Sequence, residues 1–227
     1  MQDDDKRLAA EAAVAEIADG MRVGLGSGST VAFAIAAVGR RLAEWPAATF
    51  FSTSQRTTNA AREAGIPIAR FADQAELDLT IDGVDEIDPH FRAIKGGGGA
   101  MLREKIVASA ARRMVAIADG SKGVATLGKA PVPVEILPFA RSFVAAQVAA
   151  LGSDPVLRMT AAGREYRTNQ GNLILDCYFG AIPDPAQLAL ALQAIPGALG
   201  HGLFLSEIDA VYLATDGVVT KMERSTR

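Results

Sequence analysis

Cysteine occurs once in the 227 residues, at Cys177, and histidine twice, at His90 and His201. A lone cysteine excludes an intramolecular disulfide and a thiolate cluster, and neither histidine stands at a spacing that reads as a metal site. No metal is expected. Positive charge is not in excess either, with 23 lysines and arginines against 26 aspartates and glutamates, a formal net charge of -3. Such a chain has no basic field for nucleic acid, whose binding rests on Lys and Arg neutralising phosphates, so an anionic ligand has to be caught locally. Long apolar runs are also missing. Nothing approaches the roughly 20 residues that a membrane helix needs, and residues 1–7 are acidic and polar where a secretion signal is basic and then apolar. The expectation is a protein of the reducing cytoplasm that partners neither membrane nor nucleic acid.

What is present suits a folded chain: 49% hydrophobic and 22% charged residues, and enough length for two modest domains. Asp5 is placed to cap a first helix through Ala10, Val14, Ile17 and Ala18, with Gly20 to end it. A strand over residues 21–25 runs into Gly26-Ser27-Gly28-Ser29-Thr30, ahead of a helix over 31–42. Residues 49–52 read as a strand, 53–59 open a helix that Gly65 stops, and 66–70 and 77–81 read as further strands. A helix over 101–113 and a strand over 114–118 complete the series. This alternation predicts an α/β fold with a mostly parallel, doubly wound, Rossmann-like sheet and helices on both faces.

After Lys129 the rhythm changes. Residues 131–135, with two prolines, suggest an edge strand, followed by a helix over 141–151, strands over 156–160 and 173–179, a helix over 185–194 and a last strand over 203–206. That order is the split βαβ pattern of a small ferredoxin-like α+β unit. Apolar residues 210–214 could rejoin the first sheet, making the small unit an insertion. The expected domains are therefore 1–129 with 207–227, and 130–206.

Chemistry concentrates at strand ends. Gly24-Leu25-Gly26-Ser27-Gly28-Ser29-Thr30 puts small residues and hydroxyls at a strand-to-helix turn, where backbone N–H groups and the helix dipole favour an anion. A tight turn uses the same glycines, and the pattern is neither a dinucleotide fingerprint nor a P-loop. Asp82 and Asp85 stand at the carboxyl end of a buried strand, where open α/β sheets bind ligands, although Asp-Gly is turn chemistry too. Lys95 followed by Gly96, Gly97, Gly98 and Gly99 reads as a loop for close backbone approach to a ligand, with one cationic side chain. Glu104 lies in the first turn of the next helix, on a face that solvent could equally claim. Lys122, past the strand ending at Ala118-Asp119, and Lys6, in the first helix, are point charges that could meet a phosphate.

Together these stretches closely resemble the ribose-5-phosphate isomerase family of type A over nearly the whole chain. The similar segments are GLGSGST (24–30), DGVDE (82–86), KGGGGA (95–100), LREKIVA (102–108) and ADGSK (118–122), with PVPVEILP (131–138) and NLILD (172–176) further on. The resemblance implies interconversion of ribose 5-phosphate and ribulose 5-phosphate through a cis-enediolate, without a cofactor, by a homo-oligomer, a homodimer or homotetramer. It implies that Asp82, Asp85, Lys95 and Glu104 are active-site residues. Ser27, Gly28, Ser29, Thr30, Gly96, Gly97, Gly98, Lys6 and Lys122 then fall where substrate and phosphate are held. Departures lie in residues 52–58, which keep the serine and threonine character of the family's loop but differ in detail, and in Cys177-Tyr178, which replaces a Val-His-like pair.

Overall fold

A computed structural model describes residues 1–225. Along the chain the elements run α1 (Gln2–Val14), β1 (Arg22–Leu25), α2 (Ser29–Arg41), β2 (Thr49–Ser52), α3 (Gln55–Glu63), β3 (Leu79–Gly83), β4 (Glu86–Ile87), β5 (Ala93–Ile94) and α4 (Met101–Ala110). They continue with β6 (Met114–Asp119), β7 (Val132–Ile136), α5 (Arg141–Ala150), β8 (Asp154–Leu157), β9 (Leu173–Tyr178), α6 (Pro185–Gln193), β10 (Ala198–His201), β11 (Leu203–Phe204), β12 (Ala210–Thr215) and β13 (Val218–Glu223). Packing divides the chain into two units. The first comprises Met1–Val84, Arg103–Gly123 and the chain from Ser206; the second comprises Asp85–Leu102 and Val124–Leu205. The division expected from the sequence rests on rhythm and this one on contacts, and they differ over residues 85–102, 124–129 and 206.

The first unit is built on a six-stranded sheet in the order β13-β12-β6-β3-β1-β2, with β13 alone antiparallel to its neighbour. Period-two alternation sorts its side chains. Val23 and Leu25 of β1 and Leu79 and Ile81 of β3 enter the core formed with α1 and α2. The intervening Gly24 and Thr80 face the other way, toward Val107 of α4. Helices therefore cover both faces, as the sequence pattern predicts.

Three departures in this unit have identifiable causes. The first helix begins at Gln2 and ends at Val14, so Asp5 is inside it rather than capping it, and Gly20 turns the chain later with φ 79°. Asp5 is buried, and its carboxylate accepts the N–H groups of Asp216 (3.2 Å) and Gly217 (2.8 Å) between β12 and β13. The strand expected at 66–70 reduces to one bridge, Phe50 with Ile68, because Pro67 has no N–H to extend a ladder. The antiparallel β13 has no counterpart among the strands expected from the sequence. Its residues VVTKME are exposed but for a half-buried Val219, and with neither face fully buried they show no strict apolar alternation.

The second unit holds a four-stranded antiparallel sheet, β10-β7-β9-β8, in the order strand-helix-strand-strand-helix-strand along the chain. Val132, Val134, Leu173, Leu175 and Cys177 pack with Val144 and Val148 of α5 and Leu192 of α6. A three-stranded sheet, β11-β5-β4, accompanies it. Two expectations change here. The proline-rich β7 is central, not an edge, because Pro133 lies beyond the last β7–β10 pair, Val134 with His201, where that ladder asks for no N–H. The fourth strand is β10, and Leu203–Phe204 pairs with β5 instead. Glu86 serves structure, accepting the N–H groups of Gly128 (2.8 Å) and Ala130.

Two ion-pair sites tie the first unit together at neutral pH. Arg22 grips Asp78 through Nε at 2.9 Å and Nη2 at 3.0 Å, and these hydrogen bonds hold the Asp78 carboxyl down at about 2. Burial alone pushes the Glu16 carboxyl up, but hydrogen bonds from Arg113, Tyr212 and Lys221 outweigh it and hold it at about 2. Carboxyls lowered in the folded state stabilise it above their unfolded range of about 4 and lose that contribution as pH falls toward 2. The melting temperature is therefore expected to hold down to about pH 5 and to fall steeply between about pH 4.5 and 2. A fall complete above that window in a thermal melt series would exclude these two sites as its cause. Cys177 behaves oppositely. Burial first, and then Asp176, push its thiol up to about 12, so a thiol reagent near neutral pH should label the unfolded chain and leave the native one unmodified.

Candidate active site

In the first unit the site residues gather at the carboxyl ends of β1, β3 and β6. Asp82 faces away from the α1–α2 core, in phase with Thr80, and is 1% exposed. Above it the chain leaves β1 through Gly26, whose N–H donates to the Ile81 carbonyl at 3.0 Å. A β-carbon on Gly26 would lie 1.9 Å from the Asp82 carboxyl group, so only glycine fits. The close approach lets the Ser27 N–H donate to Asp82 Oδ1 at 3.0 Å, and the Gly83 N–H donates to the same oxygen at 2.8 Å. The Ser27 hydroxyl donates to Glu104 Oε1. Ser27 thus joins two carboxylates that stand 22 residues apart in sequence, one on a strand end and one in the first turn of α4.

The same turn opens α2. Gly28 has φ 99° at the N-cap, a left-handed conformation that glycine adopts freely, and having no side chain it leaves the first amides of the helix uncapped. Ser29 is exposed and Thr30 buried. The first-turn N–H groups of a 13-residue helix are thereby presented with their positive dipole end, the arrangement an anion seeks. Lys122 ends the 3-10 turn after β6. Lys6 is not joined to the Ser27 cluster by a hydrogen bond; it ion-pairs with Asp3 at 3.2 Å.

In the second unit the chain places Asp85 just after Val84, with its N–H on the Ile94 carbonyl at 2.8 Å. Its Oδ2 accepts the Gly97 N–H at 2.8 Å, and a β-carbon on Gly97 would come within 2.9 Å of the carboxylate. Lys95 is 2% exposed and its Nζ lies 5.3 Å from the centre of the Phe204 ring. Gly96 has φ 104° and no room for a β-carbon against Met101, which makes glycine necessary there on two counts. Gly97 and Gly98 are exposed.

Several residues at these strand ends escape a reading by motif. Thr57, behind the Ser54 cap of α3, donates its hydroxyl to the Gly26 carbonyl at 2.7 Å and steadies the turn. Asp119 lies in the ADGSK stretch, three residues before Lys122. Burial raises its carboxyl, yet the Ser121 hydroxyl and N–H, with Gln2, hold it below the usual carboxylate range. In the second unit Arg158 reaches the Gly96 and Gly97 carbonyls, and no local spacing announces it. Among the described residues no group of three or more His, Cys, Asp or Glu side chains is gathered as metal donors, and no helix is long and apolar enough to cross a membrane.

A mostly parallel open sheet with carboxylates and an amide-lined turn at its carboxyl ends defines an enzyme of acid–base chemistry on an anionic small molecule. Comparison with known proteins makes the class particular. The family model for ribose 5-phosphate isomerase A (phosphoriboisomerase A) matches residues 49–217. Ribose-5-phosphate isomerase A of Sphingopyxis alaskensis is 49% identical over 220 residues, 97% of this chain and 96% of the relative. A D-ribose-5-phosphate isomerase solved in complex with phospho-erythronic acid superposes with TM-score 0.95 at 34% identity, covering 99% of this chain and all of that one. Ribose 5-phosphate isomerase A from Neisseria gonorrhoeae gives TM-score 0.92 at 36% identity, with 100% of this chain and 99% of that one covered. The chain belongs to the ribose 5-phosphate isomerase A family and interconverts ribose 5-phosphate and ribulose 5-phosphate.

The Gly26–Asp82 approach can be tested directly. Gly26→Ala should displace the carboxylate by about an ångström and lower turnover on the order of 100-fold, with ketose formation as the assay. Wild-type turnover in that variant would show that the fit is dispensable.

Proposed function

We propose that the isomerisation passes through a cis-enediolate, with Glu104 removing the proton from C2 and returning it to C1. A single carboxylate over a planar enediolate reaches both carbons, so no second base is needed. The observation that carries this reading is the Ser27 bridge: one residue orients Asp82 through its N–H at 3.0 Å and Glu104 through its hydroxyl. Asp82 and Asp85 handle hydroxyl protons, opening the furanose ring and moving a proton between O1 and O2. Lys95 and amides of the loop from Gly96 to Gly98 stabilise the oxyanion, the electrostatic contribution that is usually largest in such reactions. The phosphate is held by Ser27, Gly28, Ser29 and Thr30 at the start of α2, with Lys122 and Lys6 supplying positive charge.

The relative solved with phospho-erythronic acid supports a phosphorylated four- or five-carbon ligand for this chain too. No cofactor takes part in these steps, since every proton has an acceptor among the named side chains. The working form we propose is a homodimer or homotetramer in the cytoplasm, assembled through the second unit. Its surface carries Phe139, fully exposed, with Phe143 and Leu190, apolar area that a second copy of the chain would cover.

Glu104→Gln keeps the shape of the side chain but cannot accept the proton. It should fold as the parent does and lose about 100-fold or more in turnover, measured as ketose formation by chelator-treated protein without added metal. Turnover near that of the parent would remove Glu104 from the role.

A further inference from the structure

The loop after Lys95 has no side chains of its own to fix it, so a defined backbone there requires restraint from elsewhere. Within the second unit that restraint comes largely from one arginine. Arg158, immediately after β8, donates from Nε to Asp176 Oδ2 at 2.8 Å and from Nη2 to Asp176 Oδ1. Its remaining Nη1 donates to the carbonyls of Gly96 at 3.0 Å and Gly97 at 3.1 Å. The Tyr166 hydroxyl donates to the next carbonyl, Gly98, at 3.3 Å, and the tyrosine ring lies 5.9 Å from the guanidinium carbon. Three successive carbonyls of the loop are thus turned toward donors.

A trans peptide points its N–H opposite to its C=O, so the orientation of the amides follows. The Gly97 N–H goes to Asp85 Oδ2 at 2.8 Å and the Gly99 N–H to the Gly96 carbonyl at 3.0 Å. The amide between them belongs to Gly98, which is exposed, and among the described residues it has no protein acceptor. Its peptide partner is the Gly97 carbonyl that Arg158 holds. We infer that Arg158, fixed in turn by Asp176, is a positioning residue that presents the Gly98 N–H to the developing oxyanion of the substrate. Only a planar guanidinium spans a carboxylate and two carbonyls at once, so lysine cannot substitute. The inference rests on the reading of the Lys95–glycine loop as the oxyanion site.

The test compares Arg158→Lys and Asp176→Asn with the parent enzyme and with Lys95→Ala and Glu104→Gln. Arg158→Lys should lower kcat about 10- to 100-fold while KM for ribose 5-phosphate moves less than about threefold, because the amide acts on charge that develops only in the transition state. Affinity for a phosphorylated four-carbon hydroxamate, a mimic of the enediolate, should weaken in step with kcat. Inhibition by inorganic phosphate should not change. Parental kcat and hydroxamate affinity in Arg158→Lys overturn the inference, as does a loss that moves kcat, KM and phosphate inhibition together. If Arg158→Lys does not fold, Asp176→Asn decides by the same readouts. Should Lys95→Ala and Glu104→Gln retain turnover, the underlying reading of the site falls; should they lose it while both positioning variants keep kcat, only this inference falls.

Discussion

Where β1 hands over to α2, the backbone of Gly26 passes so close to β3 that a methyl group would lie inside the Asp82 carboxylate. That absence of a side chain permits the rest of the first unit's chemistry. It brings the Ser27 N–H onto Asp82, aims the Ser27 hydroxyl at Glu104, and starts α2 so that its first amides open toward an anion. Thr57 and the Ile81 carbonyl hold the turn from either side. Carboxylates placed by backbone contacts of this kind need little reorganisation when charge moves during the reaction.

The second unit solves the complementary problem of making a flexible sequence rigid. Its glycines are favoured by geometry, since Gly96 and Gly99 have φ of 104° and 81° and a β-carbon on Gly97 would come within 2.9 Å of the Asp85 carboxylate. Their conformation is imposed from outside by hydrogen bonds to the carbonyls of Gly96, Gly97 and Gly98, while the Gly97 and Gly99 amides donate to Asp85 and to the Gly96 carbonyl. Positive charge enters as one buried lysine beside an aromatic ring, and this suits a chain whose net charge is slightly negative.

Most of this architecture is legible in the sequence because it is periodic. Val23, Leu25, Leu79 and Ile81 alternate with residues of the opposite face, and the parallel sheet follows from them. The strand-end positions of Asp82 and of the turn at Gly26 follow as well. What escapes is long-range. Asp5 looks like a local cap but serves a turn more than two hundred residues away, and β7 looks like an edge because its prolines are visible while its neighbour β10 is not. Arg158 is an ordinary polar residue at the end of a strand until the fold brings Gly96 to it. Glu104 is a middle case: its helix is predictable, but nothing short of the Ser27 hydrogen bond distinguishes it from the charged neighbours Arg103 and Lys105.

The tie between Asp5 and the hairpin at Gly217 also bears on the order of assembly. The first helix packs on β12, and β12 fills the place between β6 and β13, so α1 finds partners about two hundred positions further along the chain. While the ribosome is still making Val124–Leu205, the half-built sheet exposes the edge of β6 and the apolar flank of α1. The second unit, contiguous over most of its length, can close first, and the first unit is completed only once β12 and β13 have been made.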